Sequence, residues 1–246
     1  MNITLSLNSS FFRLSFLQIL VVLGLTFLSP LVSAEVIGKV IQSENMPIYP
    51  KGAKITKGME IKTNGQQKIA IKTRDGDVLV AGKNATIKIK EPGFFSHLFG
   101  KIYYFIAPRQ TNKVKVTTST ATIGIRGTKF IIDSDEADAS NETVSLASGK
   151  LNFESNDDEL FELYHQRELT EFEQYKRQQQ SDFNEYKQQM MDEFVAYKAS
   201  IDLDSGFALK FDGKKATRIA LDNKVDAEFA EFERFIADIN IESGKE

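Results

Sequence analysis

Between residues 67 and 117, apolar and polar residues alternate in three short runs, and that period of two constrains this chain more than any other feature. The runs are QKIAIKT at 67–73, ATIKIK at 85–90 and KVKVT at 113–117. Successive side chains of a strand point to opposite faces, so each run can bury its isoleucines or valines while its lysines meet water. Turn pairs at Asn64-Gly65, Asp75-Gly76, Ala81-Gly82 and Ser148-Gly149 punctuate the runs. Strands recurring at intervals of about 8–12 residues have the rhythm of a small all-β sandwich or a short solenoid. One stretch departs from it: residues 92–106 hold six aromatics beside His97. That density predicts a loop with a helical turn capping the open end of the sheet, then a strand from Ile102.

Composition narrows the chemistry. The 246 residues include no cysteine and only His97 and His165. Disulfide frameworks, zinc ribbons, iron–sulfur sites and cysteine nucleophiles are therefore excluded, and no metal or other cofactor is expected. A serine–histidine–acid arrangement would have to rest on one of two histidines, and His97 beside Phe95 and Phe99 reads as a packing residue. Paired carboxylates such as Asp75 with Asp77, or Asp133 with Asp135, could be cast as an acid and base for polysaccharide or peptidoglycan cleavage. They fall in a turn and an acidic loop, where solvation explains them, so no enzyme is expected.

The first 34 residues read as a secretory signal peptide. Arg13 precedes an apolar run over 14–28, and Ser29-Pro30-Leu31-Val32-Ser33-Ala34 supplies small residues for cleavage before Glu35. The run is shorter than the roughly 20 residues a spanning helix needs, which favours cleavage over a retained anchor. A periplasmic location without stable membrane insertion is the expectation.

Residues 117–130 (TTSTATIGIRGTKF) resemble the signature stretch of the FecR family, T-x-x-A-x-x-G-x-R-G-T-x-F. The matching positions are Thr117, Ala121, Gly124, Arg126, Gly127, Thr128 and Phe130. The family's closing hairpin, V-x-L-x-x-G-x-L, is matched at 144–151 with Gly149 as its glycine. Upstream, Gly58, Ile61 and Thr63 fit a G-D-x-I-x-T turn, with Met59 and Glu60 following the glycine. The resemblance covers about residues 36–153 and implies an exported, non-catalytic β-domain. In the regulators that name the family, this domain receives a signal from an outer-membrane transporter and controls a sigma factor. About a dozen residues precede the apolar run here, too few for a folded anti-sigma module, so a free-standing periplasmic binding or scaffolding protein is expected, with a sensor for an envelope signal in transmembrane signalling as the alternative. Within the motif, Arg126 could hold a carboxylate or phosphate, or could turn inward to lock a strand crossing, while Gly124 and Gly127 let two backbones approach. The inward lock is the favoured expectation, so the motif residues are read as structural.

The rest of the chain carries a second pattern. Phe161 and Tyr164, Phe172 and Tyr175, Phe183 and Tyr186, and Phe194 and Tyr197 are four Phe-x-x-Tyr pairs repeating every 11 residues. Eleven residues are close to three helical turns, and no Gly or Pro lies between Asp157 and Ile201, so one helix of about 45 residues, roughly 65–70 Å long, is predicted. A second helix follows from Phe229, Phe232, Phe235, Ile236 and Ile239, after a turn-rich connector in which a short strand over 207–211 is a candidate. The expected organisation is thus α+β: a signal peptide at 1–34, a β-domain at 35–155 and a coiled-coil-like helical region at 156–246.

Charge divides the same way. Residues 35–155 hold 18 basic against 12 acidic residues, and residues 156–246 hold 12 against 22. The acidic second half opposes binding to nucleic acid or anionic lipid. A protein partner or self-association through the aromatic stripe is expected, with an envelope polymer as a further candidate.

Overall fold

The alternating runs become strands of one extensively paired sheet. The computed structural model describes residues 34–109, 114–165 and 195–242. Its first strands are β1 (Val36–Glu44), β2 (Lys54–Thr56), β3 (Glu60–Lys62), β4 (Lys68–Thr73), β5 (Val78–Ala81) and β6 (Thr86–Glu91). Three long strands follow, β7 (Phe94–Phe105), β9 (Ala121–Ser134) and β10 (Asn141–Ser155), with the short β8 (Val114–Thr117) after β7. The aromatic stretch expected as a capping loop is instead the continuous strand β7, because Phe95, His97 and Tyr104 all find buried places.

Glycines let these long strands change partners. β7 pairs with β6 up to Phe99, then with β9 from Gly100 and with β5 from Ile102. β9 pairs with β8 up to Ile125 and with β7 from Lys129, and Gly127 lies between at φ +60°. β10 meets β14 (Phe207–Asp212) up to Leu146 and β13 (Ser200–Asp204) from Lys150, with Gly149 between at φ +94°. A left-handed residue bends a strand and redirects its ladder, and only glycine adopts that conformation without a steric cost.

The α+β description is overturned. Where a 45-residue helix is predicted, the described residues are β11 (Phe161–His165) and β12 (Val195–Lys198), paired with each other, and β11 runs parallel to β15 (Lys215–Ala220). Burial in β11 has period two: Phe161 and Leu163 are buried while Glu162 and Tyr164 are half-buried. Phe161 packs against Phe211, whose ring lies 5.7 Å away, so Phe161 and Tyr164 share no helical face. Tyr197, on β12, is exposed. The repeats at Phe172, Tyr175, Phe183, Tyr186 and Phe194 lie outside the described residues. Strands β13, β14 and β15 continue the sheet from β10 across the turn-rich connector. Helix packing lost here because 11-residue spacing constrains a helix only if one forms, and cross-strand partners for Phe161 and Leu163 already exist.

The one helix among the described residues is α1 (Asn223–Glu242), over the Phe229, Phe232 and Phe235 spacing. Asp222 caps it, its Oδ1 accepting the backbone N–H groups of Lys224 and Val225 at 3.0 Å each. Phe229 and Phe232 are buried on the sheet beside Ala70, Val80, Tyr103 and Ile131. The neighbours of those sheet residues in sequence, Ile69, Leu79, Tyr104 and Phe130, belong to the main core on the other face. Strands β4, β5, β7 and β9 are therefore buried on both faces, which accounts for the unbroken apolar run over 78–81. No helix among the described residues is long and apolar enough to cross a membrane.

Candidate functional site

A cavity of about 460 Å³ opens on the face of β8, β9, β10 and β13. Register sets its floor: Gly124 lies opposite Lys115 on one side and Asn152 on the other, and Asn152 lies opposite Asp202. One row along, Arg126 stands opposite Lys150. Cross-strand partners project to the same face, so Lys115, Arg126 and Lys150 converge on the groove. Lys150 reaches Asp204 at 3.4 Å in an exposed pair, whereas Lys115 and Arg126 have no ion-pair partner among the described residues. Asn152 donates to Asp202 at 2.8 Å, and Glu154 completes the acidic side.

Arg109, which lines the cavity with Arg126, is held by an ion pair to Asp77, the residue before β5. Asp77 is fully buried, accepts the Ala107 N–H at 3.1 Å and bonds the Arg109 guanidinium, which also reaches Asp75 at 3.2 Å. Burial alone would lower the Arg109 pKa, but the hydrogen bond and charge of Asp77 raise it on balance. Arg109 is thus committed to holding the 106–109 segment, which leaves Arg126 as the arginine of the groove without an ion-pair partner among the described residues.

Two further polar groups are buried in the core. Glu142 on β10 is 1% exposed, and one carboxylate oxygen accepts the hydroxyls of Thr118, at 2.8 Å, and Thr120. Burial pushes its pKa up to about 7 against the opposing pull of those hydroxyls. Nearby, His97 bonds the Tyr104 hydroxyl at 3.1 Å through Nδ1 and Ser134 Oγ at 3.0 Å through Nε2. Ser134 and His97 resemble a nucleophile and base, yet burial lowers the His97 pKa to about 3 and neither residue lines a described cavity. The pair is sealed in the core, His97 1% and Ser134 6% exposed, and burial keeps the imidazole neutral and weakly basic. Among the described residues no three His, Asp or Glu side chains gather as a metal-binding group.

Residues 59–152 match the family described as FecR protein. The chain carries a FecR domain. No curated protein matches it. Two crystal structures of a candidate anti-sigma factor from Parabacteroides distasonis ATCC 8503, at 1.65 and 2.50 Å, are similar at 11% and 12% identity with a TM-score of 0.45. The match covers 68% of this chain and 61% of those chains, so this chain spans about three-fifths of their length.

The FecR domain runs from the start of β3 into β10 and contains all three glycine pivots. Its motif residues divide by role. Ala121, Thr128 and Phe130 are buried, Thr117 is half-buried, and Phe130 stacks on Tyr104 at 4.8 Å. Gly127 and Gly149 form the close backbone approach: a Cβ on Gly149 would lie 2.5 Å from the Gly127 carbonyl oxygen. Gly124 takes no part in it, since a Cβ there would meet Asn152 at an ordinary 3.7 Å. Arg126 departs from the expected inward lock; it is exposed, and the locking ion pair is Arg109 with Asp77. Sequence reasoning missed Glu142, Lys115 and Lys150. Glu142 was findable, because it shares alternation with Val144 and Leu146 and must face the same core. The two lysines carry no local signal; only strand register brings them to Arg126.

Proposed function

We propose that this chain is a non-catalytic component of transmembrane signalling whose FecR domain recognises a protein partner through the β8–β9–β10–β13 groove. The observation that carries the reading is Arg126: a motif residue on the groove surface, uncommitted among the described residues, in a domain whose other motif side chains are packed. Packing residues maintain a fold, whereas an exposed cation on a rigid strand presents binding chemistry. The non-catalytic part is supported by the FecR match over residues 59–152, which is a match to a regulatory family. In this reading the mature chain begins at Glu35 and works in the periplasm, as the apolar run over 14–28 suggests.

The test is site-specific photo-crosslinking in cells. A benzophenone amino acid replaces Thr122 in the groove or, as a control, exposed Asp212 on β14. The reading expects a discrete protein adduct from the Thr122 position and none from the control. Equal labelling from both positions, or none from Thr122, refutes the groove as the recognition surface.

A further inference from the structure

Three observations on the groove point to the chemistry of what it binds. First, Arg126 and Lys150 are directly opposed like charges on neighbouring strands. Such pairs are destabilising, and Lys115, one row away on β8, adds a third positive charge. Second, Gly124 sits mid-strand without a positive φ, and a Cβ there would make only ordinary contacts with Asn152, from 3.7 Å. A glycine inside a strand weakens it, and here the fold would accept a side chain, so the missing Cβ serves room in the groove rather than packing. Third, Asp202 and Glu154 line the β10–β13 side. A continuous polyanion laid across the groove would meet both carboxylates, whereas a polypeptide with a few placed acids need not.

Spacing makes the reading more specific. Lys115 is aligned with Gly124, two residues from Arg126, so these two cations, unpaired among the described residues, are offset by about 7 Å along the strands. Residues i and i+2 of an extended peptide lie on one face with the same separation. We propose that the groove binds an extended acidic segment of a partner protein, with carboxylates at alternate positions on Arg126 and Lys115 and its backbone drawn close over Gly124. This inference rests on the groove being the recognition surface, and it adds the partner's chemistry and register.

The experiment selects random nonapeptides displayed on phage against the mature protein and measures the winners by fluorescence anisotropy. Enrichment of acid-x-acid sequences is expected, with binding about tenfold or more weaker to Arg126→Glu and to Gly124→Leu. Arg126→Glu faces Lys150 with the opposite charge, so its melting temperature should hold or rise while binding falls. Gly124→Ala and Arg126→Gln are the milder companions, and Arg126→Gln should fall between wild type and Arg126→Glu. Selection without acidic enrichment, no selected binders at all, or affinity unchanged by Arg126→Glu overturns the proposal. If that happens while the Thr122 crosslinker still labels a partner, only the acidic chemistry is wrong. If the crosslink is absent as well, the groove itself is not the recognition surface.

Discussion

Glu142 Oε1 lies 2.8 Å from the Thr118 hydroxyl, so a buried carboxylate of β10 holds the turn from which the motif strand β9 departs. Burial raises its pKa from 4.5 to about 7. Between these values the native state holds more protons than the unfolded chain, so stability falls as pH rises through the window and levels off above it. The native penalty above the window is on the order of 3 kcal/mol. Glu142→Gln keeps an oxygen acceptor without the charge and should flatten the decline. Urea denaturation at about pH 5 and about pH 8 compares the two slopes.

His97 acts with the opposite sign. Burial takes its pKa from 6.5 down to about 3, so the unfolded chain binds the proton first and stability drops as pH falls through that interval. The ring should show no protonation shift by NMR at about pH 5, where an exposed histidine is charged. A His97 signal titrating near neutrality would mean that its contacts with Tyr104 and Ser134 are not maintained.

Asp77 is fully buried, so its charge depends on its protein partners. Asp77→Ala leaves the Ala107 N–H unmet and the largely covered Arg109 with only Asp75, and should cost about 3 kcal/mol in chemical denaturation. Replacing Asp77 and Arg109 together by leucine should recover part of that loss, because neither charge is then left uncompensated.

The two motif glycines Gly149 and Gly124 should respond differently to alanine. At Gly149 the new Cβ collides with Gly127 and Thr128 at a φ that disfavours any side chain, so about 2 kcal/mol or more of stability is lost. At Gly124 the Cβ has ordinary contacts, and the melting temperature should stay within the scatter of a surface substitution. Paired thermal melts of the two variants decide the matter.

Phe232 stacks on Tyr103, with centroids 5.8 Å apart, and anchors α1 to the sheet. Phe232→Ala should cost about 3–4 kcal/mol and release protection of the helix amides in hydrogen exchange. The exposed pair of Lys129 with Glu233 on the same helix should matter little, so Glu233→Gln serves as the matched control.

Local patterns determined a large part of this protein. Alternation over residues 67–73 and 85–90 marked β4 and β6, the motif at 117–130 marked the FecR domain, and the three–four spacing of Phe229, Phe232 and Phe235 marked α1. Each is decided within one element, by which side chains share a face, and that information is local. Tertiary structure decided what depends on a partner strand. Phe161 belongs to a strand because Phe211 covers it, although its spacing to Tyr164 suits a helix equally well. Arg126 faces the groove while Arg109, without any motif, takes the buried acid. Lys115, Arg126 and Lys150 form one site only through the register of β8, β9 and β10. A slip of one residue would turn every one of these side chains to the opposite face, and register is set by all the packed neighbours at once rather than by any stretch of sequence read alone.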